Sequence, residues 1–212
     1  MNPNVPKHGN ILLTFPTPVS ARVFPNAEPV NAALRAHVLD LEAKGGGMTR
    51  TNVGGWHSDD DLFSWPVPEI ATLRDWVVES VREATSMLCG AALQNLKAHV
   101  ELEGWANISR DGNYNKIHNH TEWTWSGVYY VATGTPDPKV RESGLIEFLD
   151  PRMGVDSVKL PGNPYGGQMH ISPTPGLMLV FPSWLQHWVH PFRGTGERIS
   201  LAFNVRLKFS PQ

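Results

Sequence analysis

His118-Asn119-His120 puts two imidazoles at i and i+2. On an extended chain such a pair points to one side, because side chains alternate across a strand. His187, much later in the chain, offers a third imidazole from a distant strand. Together they could close three corners of a metal site and leave others open. Imidazole nitrogen suits iron, zinc, copper and nickel, while calcium and magnesium want oxygen. Three protein ligands with open positions describe a catalytic metal rather than a structural one. The one thiol, Cys89, lies in a helical pattern apart from these histidines, which argues against a closed structural zinc. Arg198-Ile199-Ser200 follows His187 after a tight turn and the start of another strand. A guanidinium turned into a protein interior is costly unless an anion meets it. The residues therefore read as a metal centre with a carboxylate-binding cation beside it.

The strand that must carry this cation is the last one. Ile199, Leu201, Phe203, Val205 and Leu207 fall on one face, and Arg198, Ser200, Ala202, Asn204 and Arg206 on the other. If the apolar face packs under helices, the polar face looks into the mouth of a barrel, with Arg198 beside Ser200. Two helical patterns are present upstream. Pro29 opens the first, with Val30, Leu34, Val38 and Leu41 on one side and Lys44 and Gly45-Gly46-Gly47 at its end. Ile70, Leu73, Val77, Val81, Ala84 and Leu88 form the stripe of the second, closed by Gly90. Thr51 to Pro68 reads as a loop, and Ile11 to Phe15 as an edge strand stopped by Pro16.

From Lys97 the period shortens to two: Ala98, Val100, Leu102, Ala106 and Ile108 alternate with His99, Glu101, Glu103, Trp105 and Asn107. Asp111-Gly112 marks a turn, and further strands are predicted over 124–132, 145–149, 177–181 and 198–209. Two helices followed by many short antiparallel strands predict a mainly β protein, a sandwich or jelly roll with the helices buttressing one sheet. The 212 residues read as a single domain, with 1–96 a helical support and loop and 97–209 the β core.

Composition narrows the partners. A 41% apolar and 18% charged chain with net charge −2 gives no reason to expect nucleic acid or an anionic membrane. A single cysteine excludes an internal disulfide framework and fits a reducing, cytoplasmic setting; nothing at the start reads as a signal peptide, and no apolar run reaches membrane length. The composition leaves room for a homodimer.

Several short runs, in order, carry a family resemblance: Trp105-Ala106-Asn107-Ile108, His118-Asn119-His120, Ser126-Gly127-Val128-Tyr129-Tyr130-Val131, Gly144-Leu145-Ile146-Glu147-Phe148, Phe181-Pro182-Ser183-Trp184-Leu185-Gln186-His187 and Arg198-Ile199-Ser200-Leu201-Ala202-Phe203-Asn204. The stretch from Gly104 to Arg206 resembles the iron(II)/2-oxoglutarate-dependent dioxygenases, in particular a bacterial and phage group with a prolyl-hydroxylase-like core. Gly55-Trp56 and Ser58 also look like this group. The resemblance implies a double-stranded β-helix, the cupin-like jelly roll, with the two N-terminal helices packed on one sheet. It implies Fe(II) held by His118 and His187, and 2-oxoglutarate held through its far carboxylate by Arg198 and Ser200, with the Tyr130 hydroxyl on the same group. O2 would be the co-substrate, and oxidative decarboxylation to succinate and CO2 would be coupled to oxidation of a small-molecule or peptide substrate that the sequence does not identify.

The chain departs from the family pattern at His120, where most members have Asp or Glu. An imidazole there leaves the metal one positive charge richer. Three readings stay open: His120 is the third ligand, Glu122 swings in as the carboxylate, or two side chains alone bind the metal. Two other function classes compete. One is a cupin-like metal protein that binds a small ligand without oxygenase chemistry; the other is a three-histidine dioxygenase that needs no oxo acid. Neither requires a dicarboxylate clamp, so Arg198 with Ser200 separates them from the first reading.

The remaining candidates have ordinary readings. His190 should face away from His187, and His170 reads as a surface histidine. His57 reads as a loop contact or a lining residue at the pocket mouth. Trp123, Trp125, Trp184 and Trp188 are expected around the site, either as pocket wall or as core. Tyr129 should pack on the side opposite Tyr130, Asn107 and Asn204 read as pocket-facing from polar strand faces, Asp59 to Asp61 read as a solvated loop, and Cys89 reads as a buried apolar residue.

Overall fold

Pro29 sits in the first turn of α1 (Glu28–Ala43), where its missing N–H costs nothing, and Asn31, Leu34 and Val38 form the buried stripe. The helix stops at Lys44, and Gly45, Gly46 and Gly47 follow with positive φ. In α2 (Glu69–Cys89) the buried residues are Ile70, Leu73, Val77, Ser80, Val81, Ala84 and Thr85, the helical period read from the sequence. A computed structural model describes residues 15–157, 160–161 and 168–211. The expected strand at Ile11–Phe15 therefore lies largely outside the described residues.

In chain order the strands are β1 (Ser20–Val23), β2 (Asn52–Val53), β3 (Trp56–His57), β4 (Leu96–Ser109), β5 (Tyr114–His118), β6 (Trp125–Pro136), β7 (Ile146–Leu149), β8 (Gln168–Ile171), β9 (Leu177–Pro182), β10 (His187–Val189) and β11 (Gly194–Pro211). They form two antiparallel sheets, a six-stranded one in the order β1-β9-β6-β11-β4-β3 and a five-stranded one in the order β2-β5-β10-β7-β8. This is the expected mainly β jelly roll, the double-stranded β-helix. The stretch read as a loop from Thr51 to Pro68 holds β2 and β3, one strand for each sheet, and a short 3-10 turn at Leu62–Ser64. Two-residue strands are too short to show alternation, and only their partners on β5 and β4 reveal them.

The larger core lies between the helices and the six-stranded sheet. Leu34, Val38, Leu73 and Val77 meet Tyr129, Ile199, Leu201 and Val205 there. Each such side chain contributes about 1.5–3 kcal/mol when fully buried. The second core lies between the sheets and includes Val128, Ile146, Phe148, Leu179 and Phe181. β11 thus divides its residues as its alternation predicts, odd positions from Ile199 to Val205 under the helices and even ones facing the other sheet. Cys89 corrects its expectation: it is exposed, because the last turn of α2, from Ser86 onward, runs past the packed stripe into solvent.

Candidate metal centre

β5 and β10 are neighbours, and their register sets His118 directly opposite His187. A backbone ladder, not sequence proximity, therefore makes the first pair of imidazoles. His118 is the last residue of β5, so the expected two-residue alternation covers only half of the H-x-H. His120 lies beyond the strand, where its backbone N–H donates to the Ser183 carbonyl at 2.8 Å. That bond ties the turn to the end of β9 and carries the His120 ring back toward the other two. Ring centroids are 4.4 Å apart for His118 and His187, 5.0 Å for His118 and His120 and 5.3 Å for His120 and His187. Ligand-capable atoms of all three lie within 4.8 Å of one another.

Nδ1 of His118 is 2.7 Å from the Lys116 carbonyl, and Nδ1 of His187 is 2.9 Å from that of Leu185. Donation from Nδ1 leaves each Nε2 with its lone pair, the arrangement that orients an imidazole for a metal. Burial, with repulsion from His118 and His120, pushes His187 down to about 3. Burial and His118 push His120 down to about 4, and burial lowers His118 as well. All three rings are neutral at pH 7, the protonation state that ligates.

Glu122 does not join them. It is exposed, has a φ of 76°, and its backbone carbonyl accepts from Arg206 Nε.

Arg198, Ser200 and Tyr130 share one cavity of about 250 Å³ with the three histidines. Arg198 is 2% exposed; its Nε donates to the Gly144 carbonyl at 3.2 Å and its guanidinium lies 5.1 Å from the Tyr130 ring centre. No carboxylate among the described residues pairs with it. Burial lowers the pKa of Arg198 and raises that of Tyr130, and the attraction between the two only partly offsets this. The Tyr130 hydroxyl is buried in the cavity wall against Arg198, and Asn107 Oδ1, buried in the same wall, has no hydrogen-bond partner among the described residues. A buried cation with a phenol hydroxyl beside it fits an oxygen-rich anion, and three neutral imidazoles in the same hollow fit a divalent metal.

Other wall residues also come into view. Asn107 and Asn204 line the cavity, as their strand faces suggest. Glu103 and Trp105 line it too, and Asn204 Nδ2 donates to Glu103 Oε1 at 3.2 Å. Their spacing with Asn107 on β4 is the signal that could have found them. His57 is buried, lines the cavity and stacks on Trp105 at 5.6 Å. Asp60, from the stretch read as solvated, also lines the cavity and pairs with Arg50 at 3.0 Å. The four expected tryptophans are elsewhere. Trp125 packs in the helix-side core and donates to Thr85, Trp184 is 49% exposed, Trp123 lies under Arg206, and Trp188 lies tilted against His190. Trp125 and Tyr129 share a strand parity that points to the helices, while Tyr130 points the other way.

Residues 103–204 match the model of a family described as "Putative 2OG-Fe(II) oxygenase". No curated protein sequence matches the chain at a significant level. Solved structures share the fold at low identity. A prolyl-4-hydroxylase from Pseudomonas putida superposes with a TM-score of 0.59 at 18% identity, covering 89% of this chain and 91% of its own. A prolyl hydroxylase from Trichoplax adhaerens, in complex with a hypoxia inducible factor peptide fragment, gives 0.62 at 13% identity over 89% and 83%. HygX from Streptomyces hygroscopicus, with nickel and 2-oxoglutarate bound, gives 0.59 at 15% identity over 90% and 82%.

Proposed function

We propose, from the premise that the β-helix core belongs to the iron(II)/2-oxoglutarate-dependent oxygenase superfamily, that this protein holds iron(II) with His118, His120 and His187. Arg198, Ser200 and Tyr130 hold 2-oxoglutarate, and the protein oxidises a small-molecule or peptide substrate with O2. One observation carries the reading: a fully buried arginine, unpaired with any described carboxylate, opens into the same cavity as three neutral imidazoles.

Bound together, iron(II) and 2-oxoglutarate supply the oxidising power, converting O2 and the oxo acid to succinate and CO2 as a substrate C–H bond is oxidised. The chain supplies position. Arg198 presents a planar fork that matches a carboxylate at two points, and its Nε bond to Gly144 fixes the direction of that fork. Ser200 stands next along the same strand face, and the Tyr130 hydroxyl has a hydrogen bond to give. Three imidazoles bring no charge of their own, so this chain leaves charge compensation at the metal to an anionic co-ligand. Val128, Ile146 and Phe181 line the hollow with apolar surface and keep water from its walls. Trp105 and the partly exposed Arg50–Asp60 pair also line it.

A cupin-like binder without oxygenase chemistry has no use for an unpaired buried guanidinium, and neither has a three-histidine dioxygenase that works without an oxo acid. A reducing cytoplasm, with its iron(II) and oxo acids, suits a chain with one cysteine. The test is anaerobic: adding 2-oxoglutarate to the iron(II)-loaded protein should produce a weak visible charge-transfer band, and admitting O2 should yield succinate slowly without substrate. Absence of both overturns the proposal.

A further inference from the structure

The outward face of the five-stranded sheet carries a second convergence of metal-capable side chains. Ile146 and Phe148 on β7 enter the core between the sheets, so Glu147 between them turns outward. Its register partners are His170 on β8 and Trp188 on β10, and His190 follows directly after β10. Although it faces outward, Glu147 is only 2% exposed. The His190 Nε2 lies 2.7 Å from Glu147 Oε2 and the His170 Nε2 3.1 Å from the same oxygen. The Trp188 ring lies tilted against the His190 ring, 3.9 Å between centroids.

We propose that Glu147, His170 and His190 form a second site, for a divalent transition metal of the zinc class, bound by two Nε2 atoms and one carboxylate oxygen with a further position open to solvent. The donor set is right: two imidazoles and a carboxylate are what such a cation takes when it keeps an open position. The distances are right as well. Metal–ligand bonds of about 2.0–2.2 Å, meeting between a right angle and the tetrahedral angle, set ligand atoms about 3.0–3.5 Å apart. The observed separations need to open by only a few tenths of an ångström, and all the ligand atoms already lie within 4.8 Å of one another.

Glu147 and His170 come from adjacent strands, and His190, directly after a third, donates its backbone N–H to the Leu145 carbonyl at 2.9 Å, so backbone bonds hold all three in place before any ion arrives. Burial by itself would raise the pKa of Glu147, yet hydrogen bonds from His190, His170 and Trp188 outweigh it and keep the group a carboxylate. The site differs from the inner one in charge, since it brings an anion and the inner one brings none. It also has a structural use: β8 is the edge strand and pairs with β7 over four residues only, and an ion shared by β7, β8 and the end of β10 pins it. The inference is independent of the oxygenase reading, because it uses none of the cavity residues.

Titration of the metal-stripped full chain with Zn²⁺, against a chromophoric chelator, tests it. The wild-type chain should take up two equivalents. His170→Ala, whose side chain is 39% exposed and carries little of the core, should lose one. Glu147→Gln, which keeps the shape and removes the charge, should weaken the outer equivalent by about tenfold or more. Circular dichroism confirms folding of each variant, and if Glu147→Gln does not fold, His170→Ala decides alone. A His170→Ala chain that binds as many equivalents as wild type overturns the proposal. One equivalent in wild type and none in His170→Ala upholds the outer site and removes the inner one, so the two readings fail separately.

Discussion

In the six-stranded sheet, β4 and β11 run side by side in unbroken register from Arg198 opposite Ser109 to Pro211 opposite Leu96. In the five-stranded sheet, β10 spans only His187–Val189, and its pairing with β5 shifts register within those residues. The cavity lies between these two kinds of surface. Arg198 and Ser200 stand on the long ladder and Tyr130 on the neighbouring β6, whose pairing with β11 shifts between Ile199 and Ser200, all backed by the helices; His118 and His187 stand at strand ends, and His120 on a turn. A fork that must meet a carboxylate at two points gains from a wall that cannot shift. Imidazoles around an ion need convergence, which a short ladder and two bonds to backbone carbonyls provide. The two halves of the site should therefore fail independently.

The largest expected effect comes from the short-strand side. His187→Ala should lower iron(II) affinity by at least about 100-fold and abolish turnover, measured by metal analysis and succinate release. On the long-strand side, Arg198→Ala should raise the 2-oxoglutarate requirement by about 30-fold or more, since truncating one partner of a buried charge pair costs 2–5 kcal/mol. Metal content should stay at the wild-type level. If Arg198→Ala also strips the metal, the separation between the sheets is broken.

A smaller effect follows from acid, and it too belongs to the short strands. His187 titrates near 6.5 when unfolded but only at about 3 in the folded, metal-free chain. Between those values the unfolded chain binds a proton that the folded chain refuses. The stability tied to this ring is complete above pH 6.5 and falls as pH drops toward 3, by about 1.4 kcal/mol per pH unit. His120 adds to the loss in the same sense, down to about 4. Urea midpoints of the metal-free protein at pH 7 and pH 5 measure the slope, and His187→Gln should flatten it.

The smallest test sharpens the comparison within one strand. Tyr129→Phe removes the bond to Asn31 Oδ1 at 2.7 Å and should cost about 1 kcal/mol of stability without changing the 2-oxoglutarate requirement. Tyr130→Phe should instead raise that requirement by several-fold, because its hydroxyl lies in the cavity wall beside Arg198.

Much of the long-strand half could be read without coordinates. The alternation of Ile199 to Val205 with Arg198 to Asn204 is a local property of an eighteen-residue strand, and so is the opposition of Tyr129 and Tyr130. The short-strand half was legible only as residue types. β5 and β10 are too brief to show a period, and His120 is placed by a bond to Ser183, a residue far along the chain. Asp60 looked like solvent-facing charge until Arg50 and the cavity claimed it, and Cys89 looked buried because the helical stripe gives no sign of where the sheet beneath it ends.

Local periodicity and residue type are enough for the helices, the faces of the long strands and the kinds of donor present, imidazoles and a guanidinium. Tertiary structure decided which imidazoles meet. It set His118 opposite His187, left Glu122 outside and gathered Glu147, His170 and His190 on the far side of the same sheet. The physical reason is range. Periodicity is written by neighbours a few residues apart, whereas strand pairing joins segments whose separation along the chain carries no trace of their contact.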